Sequence, residues 1–443
     1  MAIRLSDHFT FSRLLRFTAP SMVMMLFTSI YGVVDGLFIS NFAGKTAFAA
    51  VNLIMPFTMM LGGVGAMFGT GGSALVSKTL GEGDLERAHR YFTMLIRLMG
   101  IVGAAFAGIG IVVLRPVSYL FGATDTMVGD CVLYGRVVLL FLPAQLMQFG
   151  FQNFLVAAER PKFGLAVTVA AGLTNIALDA LFVAGFGWGI VGAAAATGMS
   201  QCVGGLLPLL FFLSRRNDTI LRFTRTRFEL KPLIKACGNG ISEMLSSISG
   251  SLTGILYNFQ LMRYAGEDGV AAYGVVMYAA FVFVAVFVGY SSGSAPIVSY
   301  QYGAGNHGEM RNVLRKSLAA MGVGGCIMAV LGFVSSPLLA SIFVGYDEGL
   351  MALTIRAFRI CVFPLLLMGV NIYASSFFTA LNNGGVSAAI SFLRALVFPV
   401  VTILTLPVFF QLDGVWYSLA VGEACTLVVS AAFLLGERRK YQY

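Results

Sequence analysis

Long apolar windows, separated by short charged or Gly/Pro-rich joints, constrain this chain more than any other feature of its sequence. At ~1.5 Å per helical residue, such windows are long enough to cross a hydrocarbon core ~30 Å thick. Backbone polar groups in lipid must pair within the structure, and unbroken apolar runs favour helices over the short alternating segments of a β-barrel. We therefore expect an all-α polytopic membrane protein with twelve spans, at residues 14–40, 49–79, 92–114, 131–157, 163–185, 190–213, 236–262, 271–301, 314–342, 351–381, 386–409 and 414–435.

Composition excludes two other classes of protein. Hydrophobic residues make up 58% of the 443 residues and charged residues only 11%, so neither an ordinary soluble domain nor a disordered chain fits. The net charge of +9 is compatible with nucleic-acid binding in principle. The Lys and Arg residues, however, stand beside apolar windows, which is typical of membrane topology signals. We expect the lipid bilayer as a partner and no nucleic acid.

The basic residues also predict the orientation of the spans. Arg13 and Arg16 lie at the start of the first span, Arg87 and Arg90 precede the third, and a basic run from Arg215 to Lys235 precedes the seventh. These joints all fall on one side if the spans alternate in direction. By the positive-inside rule this side is cytoplasmic, and an even number of spans then places both termini there. The sequence predicts a multi-pass membrane protein with both termini on the cytoplasmic side.

Self-similarity at a nearly constant spacing indicates an internal duplication. The matching segments are 44–50 with 266–272 and 77–84 with 299–306, both offset by 222 residues, together with Pro143 and Pro364 and with Gly189 and Gly414. We predict an N-terminal lobe at 1–213, a basic cytoplasmic linker at 214–235 and a C-terminal lobe at 236–443. Two six-helix lobes that enter from the same side should be related by a pseudo-two-fold axis along the membrane normal, with the substrate path between them.

One carboxylate interrupts the first span. Asp35 is the only charged residue between Phe17 and Gly44. A charge at the centre of a bilayer costs roughly 2.5–3.5 kcal/mol on insertion scales, so such a residue is expected to bind an ion or a proton. The alternative is a carboxylate near the helix end that is hydrated at the interface.

A second polar group lies in the fifth and sixth spans. Asn175 and Asp179 are four residues apart and share one helix face, and Thr197 lies at similar depth in the next helix. Together with Asp35 they could form an oxygen-rich cation site, or a proton site in which one carboxyl stays neutral. The alternative for the amide and the hydroxyl is simple helix-to-helix hydrogen bonding.

The second half lacks these acids. The offset of 222 residues places Tyr257 opposite Asp35, and Val401 or Thr402 opposite Asp179. Ion coupling is therefore predicted in the first half. The second half offers other polar candidates in apolar surroundings, namely Glu243, Arg394 and Glu423. Glu243 could instead face the positive end of its helix, and Arg394 could pair with a carboxylate or extend toward the interface.

The inventory of residues argues against an enzyme. His8, His89 and His307 all lie in polar segments, so they offer no intramembrane metal cluster, and the sequence has no GxxxxGK[ST] loop for an ATPase engine. Energy must then come from an ion gradient. We expect no enzymatic activity, no cofactor beyond a coupling H⁺ or Na⁺, and no metal beyond Na⁺ at the coupling site.

The motifs together resemble the multidrug and toxic compound extrusion (MATE) family, in its DinF-like and MepA-like bacterial branch. The resemblance rests on the order and spacing of Asp35, segment 51–56 (Val-Asn-Leu-Ile-Met-Pro), segment 81–84, Asn175 with Asp179, segment 192–194 and segment 414–416. It implies twelve helices in two lobes and a cation site formed by Asp35, Asn175, Asp179 and Thr197. A related sodium-coupled branch has acids in helices seven and ten; here Asn371 replaces one, and Glu243 stands several residues early.

The expected function is therefore secondary active antiport by alternating access, with export of cationic or lipophilic drugs or toxic compounds in exchange for H⁺ or Na⁺. The partners predicted are amphipathic or cationic small molecules, and the protein is expected to be a monomer. The 21 Met and 38 Phe residues would supply an adaptable apolar cavity surface. The alternative function is a flippase for a lipid or a lipid-linked saccharide on a related fold.

Overall fold

The structure, a computed structural model, describes residues 3–39, 42, 45–214, 217–345 and 347–443, without the side chains of Leu37 and of residues 45–49. Gly44 and Arg215, which begin a predicted repeat match and the predicted basic run, lie outside the described residues. The longer helices are α1 Phe11–Phe38, α2 Lys45–Gly81, α3 Leu85–Leu120, α4 Val128–Leu140, α5 Leu142–Ala157, α6 Pro161–Asp179, α7 Gly189–Leu213, α8 Leu230–Gly303, α9 His307–Val344, α10 Glu348–Cys361, α11 Leu365–Ala380, α12 Gly384–Phe392 and α13 Phe398–Gly436. The helix α14 (Arg438–Tyr441) and two π-helical turns, Ala180–Gly185 and Leu393–Val397, complete the described elements.

The helices account for the expected number of spans once their bends are considered. Eight described helices are long and apolar enough to cross a membrane, and ten spans result if the bent pairs α4–α5 and α10–α11 each count as one. Two more follow because the backbone leaves the helical region at Gly266 inside α8 and at Gln411 inside α13. The all-helical fold with twelve spans is confirmed. Several predicted limits were too short, since α3 and α9 continue beyond the apolar windows into amphipathic turns.

Bends occur at equivalent places in the two halves. The α4–α5 pair bends by 54° and the α10–α11 pair by 49°. Pro143 lies in the first turn of α5 and Pro364 is the N-cap residue of α11. Because a proline lacks the amide proton and crowds the preceding turn, a continuous helix through either position is disfavoured. The duplication of the sequence is thus visible as a duplicated break.

Each half has its own main core. One hydrophobic cluster is built from residues between Ile39 and Ala236, and the other from residues between Tyr257 and Tyr443. The second cluster also contains Leu5, Phe9, Leu14 and Phe17 from the start of the chain, and Val156 from α5. The first residues of the chain therefore pack against the second half, although α1 is counted with the first.

Two glycines mark the symmetry axis between the halves. A Cβ on Gly81 would lie 2.0 Å from the carbonyl oxygen of Tyr300, and a Cβ on Gly303 would lie 2.0 Å from that of Lys78. Both pairs exchange places under the offset of 222 residues. The ends of α2 and α8 thus cross with their backbones in contact, which requires residues without a side chain.

The N-terminal segment (residues 3–10) is bonded to both halves near this crossing. The Leu5 amide donates to Glu159 Oε1 (2.7 Å), and Gln301 Nε2 donates to the Leu5 carbonyl (2.8 Å). The Phe9 amide donates to Glu309 Oε1 (2.8 Å). Leu5 and Phe9 are both fully buried.

The C-terminus meets the same end of the bundle. The carbonyl of Tyr441 in α14 contacts His307 Nδ1 (3.1 Å), directly after the α8–α9 turn. We call this end, with the N-terminal segment, the α8–α9 turn and α14, the terminal face. It is the side that the basic residues predict to be cytoplasmic.

Candidate functional site

The pair α1 and α6 positions the two acids predicted in the first half. Asp35 lies in the last turn of α1, and Asp179 is the last residue of α6. The helices approach closely at Gly172, where a Cβ would meet Phe27 Cε1 at 2.4 Å. A larger residue would require the Phe27 and Tyr31 rings to shift. A π-helical turn, Ala180–Gly185, follows Asp179, and turns of this kind frequently occur at functional sites.

The packing of α7 adds the predicted amide and hydroxyl. Asn175 is buried (1% exposed), and its Nδ2 donates to Thr197 Oγ1 across a long contact of 3.5 Å. Ala193, Ala194 and Ala196 are fully buried, so α7 lies close to its neighbours. The contact agrees with helix-to-helix hydrogen bonding, which was the alternative for these two residues.

The structure brings Asp35 to the same place. Its side chain lies next to the side chains of Asp179 and Thr197. Asp179 is fully buried, and Asp35 is half-buried. Neither oxygen of Asp179, nor Oδ1 of Asp35, receives a hydrogen bond from a described residue. An ionised carboxylate can only accept hydrogen bonds, so two carboxylates in contact cannot bond to each other unless one of them is protonated.

No described basic side chain forms an ion pair with these acids. Tyr134, itself buried, lies near both of them. Removing two like charges from water costs several kcal/mol per ion, and their repulsion adds to the cost. A shared proton or a bound cation with oxygen ligands would relieve both terms. The described part of the chain contains no group of three or more His, Cys, Asp or Glu side chains suited to a transition metal.

The second-half candidates form one connected network rather than separate sites. Arg394 Nε lies 2.9 Å from Glu423 Oε1, and Asn371 Nδ2 donates to Glu423 Oε2 at 2.7 Å. The same amide group donates to the Glu423 carbonyl at 3.0 Å. Arg394 thus pairs with a carboxylate and does not extend alone toward the interface. Glu423 is 7% exposed, and both of its carboxylate oxygens have partners.

Glu243 faces a cavity next to this network. The cavity holds about 140 Å³ and lies between the two halves. Its wall includes Glu243, Asn371 and Arg394 from the second half and Thr70, Ser73 and Asn153 from the first. Glu243 is therefore part of an inter-half cavity and does not merely face its own helix end. Its carboxylate and Arg394 are close enough to attract each other.

The positions equivalent to the two acids hold neutral side chains. Tyr257 is 1% exposed, and its hydroxyl lies 2.7 Å from Ser418 Oγ. Thr402 Oγ1 donates to the carbonyl of Ser418 at 3.1 Å. Ser418 was not identified from the sequence, because a lone serine in an apolar helix carries no signal of its partner. The spacing alone had pointed to Tyr257 and Thr402.

Comparison with known proteins places these features in a family. The family model described as MatE matches residues 20–181 and 244–404, one segment in each half. The multidrug export protein MepA of Staphylococcus saprophyticus is 24% identical over 431 residues, covering 96% of this chain and 93% of the relative. The protein of the same description from Staphylococcus aureus is 25% identical over 435 residues, covering 97% and 94%.

Solved structures share the fold. An outward-facing conformation of a multidrug resistance MATE family transporter of the MOP superfamily superposes with a TM-score of 0.91 at 22% identity, over 97% of this chain and 95% of that one. A MOP superfamily transporter from Pyrococcus furiosus, described as having a binding pocket of reverse polarity, gives 0.89 at 23% identity over 97% and 95%. At this level of identity the likeness concerns the fold.

Proposed function

This chain belongs to the MatE family, and we propose from that membership that it is a secondary active antiporter that exports cationic or lipophilic compounds in exchange for H⁺ or Na⁺. Two of its relatives are described as multidrug export proteins. The family and these relatives are transporters rather than enzymes. The substrates proposed are small amphipathic molecules, and the protein is proposed to act as a monomer in the inner membrane of a bacterium.

The buried pair of acids carries the proposal for ion coupling. Within the described part of the chain, both oxygens of Asp179 lack a hydrogen-bond donor, and the Asp35 carboxylate lies beside them. A fold that only needed these helices packed would gain stability from neutral side chains at the same positions. We therefore assign binding of the coupling ion to Asp35, Asn175, Asp179 and Thr197.

Alternating access requires that the ion prefer one of two states. A ligand that binds both states equally shifts nothing, so the acids must be further apart or better hydrated in the other state. At the terminal face the two halves are in contact where Gly81 and Gly303 cross, and the N-terminal segment is bonded to both halves. We propose that residues 1–213 and 236–443 rock as lobes about this crossing, and that the terminal face is cytoplasmic.

The test is ethidium efflux from vesicles under imposed pH and sodium gradients, applied separately. We expect one gradient to drive efflux in the wild type and neither to drive it in Asp35→Asn, with equal amounts of folded protein. Asp125→Asn is the matched control, because Asp125 is exposed and bonded only to Tyr119 within the described structure. Full efflux by Asp35→Asn would reject the coupling role. Lipid flipping without ethidium transport would favour a flippase.

A further inference from the structure

A basic cavity opens beside the N-terminal segment on the terminal face. It holds about 590 Å³ and lies between the start of α1 and the α5–α6 turn. Its wall combines positive and apolar side chains, and it is formed by Ile3, Arg16, Phe17, Pro20, Glu159, Arg160, Pro161, Lys162 and Phe163. The ion site described above lies near the far ends of α1 and α6, so this cavity is separate from it.

The positive charges of the cavity are only partly neutralised. Arg160 pairs with Asp218. Arg16 and Lys162 form no ion pair within the described part of the chain, and both are exposed. The one acid in the wall, Glu159, already accepts a hydrogen bond from the Leu5 amide (2.7 Å). Burial raises the pKa of the Glu159 carboxyl, so its surroundings already disfavour its negative charge.

The start of α6 adds to the attraction for an anion. The helix begins at Pro161, which has no amide proton, and the amides of Phe163 and Gly164 donate to the Arg160 carbonyl. The contribution of this helix end is therefore its dipole, which favours a negative group near the first turn. Arg16, Arg160 and Lys162 line the same cavity as this helix start, which distinguishes the cavity from a single helix terminus.

The apolar part of the wall decides the type of anion. Phe17 is 3% exposed and Pro20 is buried, and Phe163 and Ile3 extend the apolar surface. The cavity lies where α1 and α6 enter their membrane-spanning segments. A soluble phosphate would use the cations but leave this surface unfilled. A phosphodiester attached to acyl chains uses both.

We propose that this cavity binds the headgroup phosphate of an anionic phospholipid, with Arg16 and Lys162 as its main ligands. The site is independent of the transported substrate. Because α1 and α6 carry Asp35 and Asp179 near their other ends, a lipid held at this end also restrains the pair whose spacing sets the ion site. That consequence rests on the proposed function, whereas the binding itself does not.

The binding test uses the full chain in a neutral detergent and native mass spectrometry. Phosphatidylglycerol and phosphatidylcholine with identical acyl chains are titrated separately, and glycerol 3-phosphate is added as a soluble competitor. We expect phosphatidylglycerol to bind more tightly than phosphatidylcholine. Arg16→Gln/Lys162→Gln should weaken the binding of phosphatidylglycerol roughly 30-fold, since each surface cation contributes measurably to the attraction of anionic lipids.

The matched control is Arg225→Gln/Arg227→Gln, which removes two exposed charges of the same face outside the cavity. It should bind phosphatidylglycerol as the wild type does. An equal loss in this control would overturn the site in favour of general surface charge. Equal binding of the two lipids, or displacement by millimolar glycerol 3-phosphate, would likewise overturn a phospholipid site.

Two further variants guard against a folding defect. Arg16→Lys keeps the charge and should retain most of the affinity, while Lys162→Glu at an exposed position should abolish the preference for phosphatidylglycerol. If Lys162→Glu keeps the wild-type preference for phosphatidylglycerol, the proposal is wrong. Because these readouts are lipid affinities, they stand or fall separately from ethidium efflux.

Discussion

At equivalent positions the two halves use the same helix geometry for different chemistry. In the first half Asp35 and Asp179 meet, and three of their oxygens lack a donor within the described structure. In the second half Tyr257 shares a hydrogen bond with Ser418, and Thr402 donates to the same residue's carbonyl. The first-half site is charged and lacks hydrogen-bond donors in the described structure. The second-half site is neutral, and its hydroxyl groups are hydrogen-bonded.

The difference shows that the fold itself does not require the acids. At the equivalent place in the second half, a tyrosine and two hydroxyl side chains are buried and closely packed. Where the second half buries carboxylates, they have partners: Arg394 and Asn371 accompany Glu423, and the Phe9 amide donates to Glu309. Asp35 and Asp179 in the first half lack such partners in the described structure, which is best explained by a ligand that binds reversibly.

The largest difference between the two halves is expected when Asp179, the fully buried acid of the first half, is neutralised. Asp179→Asn should abolish gradient-driven ethidium efflux, because the ion would lose a central ligand. It should not lower thermal stability, since it removes repulsion between like charges. Efflux and melting temperature are measured on the same preparation. Wild-type efflux from this variant would show that the Asp35–Asp179 site and the Tyr257 site do not differ in function.

The ion pair of the second half is expected to matter for stability. Arg394→Met leaves Glu423 as a buried, unpaired charge and should cost about 3–5 kcal/mol, seen as a lower melting temperature. Adding Glu423→Gln to the same chain should recover most of the loss. Arg356→Met is the control, because its pair with Asp413 is exposed and worth at most about 1 kcal/mol. No recovery in the double variant would mean that Glu423 has a role beyond pairing.

The neutral site around Tyr257 in the second half should tolerate substitution. Tyr257→Phe removes one hydrogen bond and should cost about 1 kcal/mol. Ser418 remains satisfied, because its hydroxyl also donates to the Val415 carbonyl at 2.5 Å. Ethidium efflux should stay at the wild-type level. A loss of efflux comparable to that of Asp179→Asn would place transport chemistry in both halves.

The smallest effect is expected at the rim of the acid site. Thr197→Val keeps the shape but removes a hydroxyl that contacts Asn175 at 3.5 Å, a distance typical of a weak bond. The half-maximal concentration of the driving ion should rise roughly 2- to 10-fold, as expected for one hydrogen bond. Ser418→Ala, in the other half, should leave the ion dependence unchanged. An unchanged ion dependence in Thr197→Val would remove Thr197 from the site.

The sequence predicted the first-half cluster better than the second. Asn175 and Asp179 share a helix face by simple periodicity, and Asp35 stands out as a lone charge in an apolar span. The network of Asn371, Arg394 and Glu423 joins side chains that are up to 52 residues apart in the sequence. Each of these residues looks isolated in the chain. No local pattern states which carboxylate an arginine will reach.

The sequence alone determined that this chain spans a membrane with helices, that it repeats itself after about 222 residues, and that its unusual acids lie in the first half. These features follow from hydropathy, spacing and the cost of charge in lipid, all of which can be read locally. Only the tertiary structure decided which side chains meet across helices, that Arg394 neutralises Glu423, and that a basic cavity opens beside Arg16. Such contacts depend on helix bends and close glycine crossings, whose geometry arises from packing between distant segments.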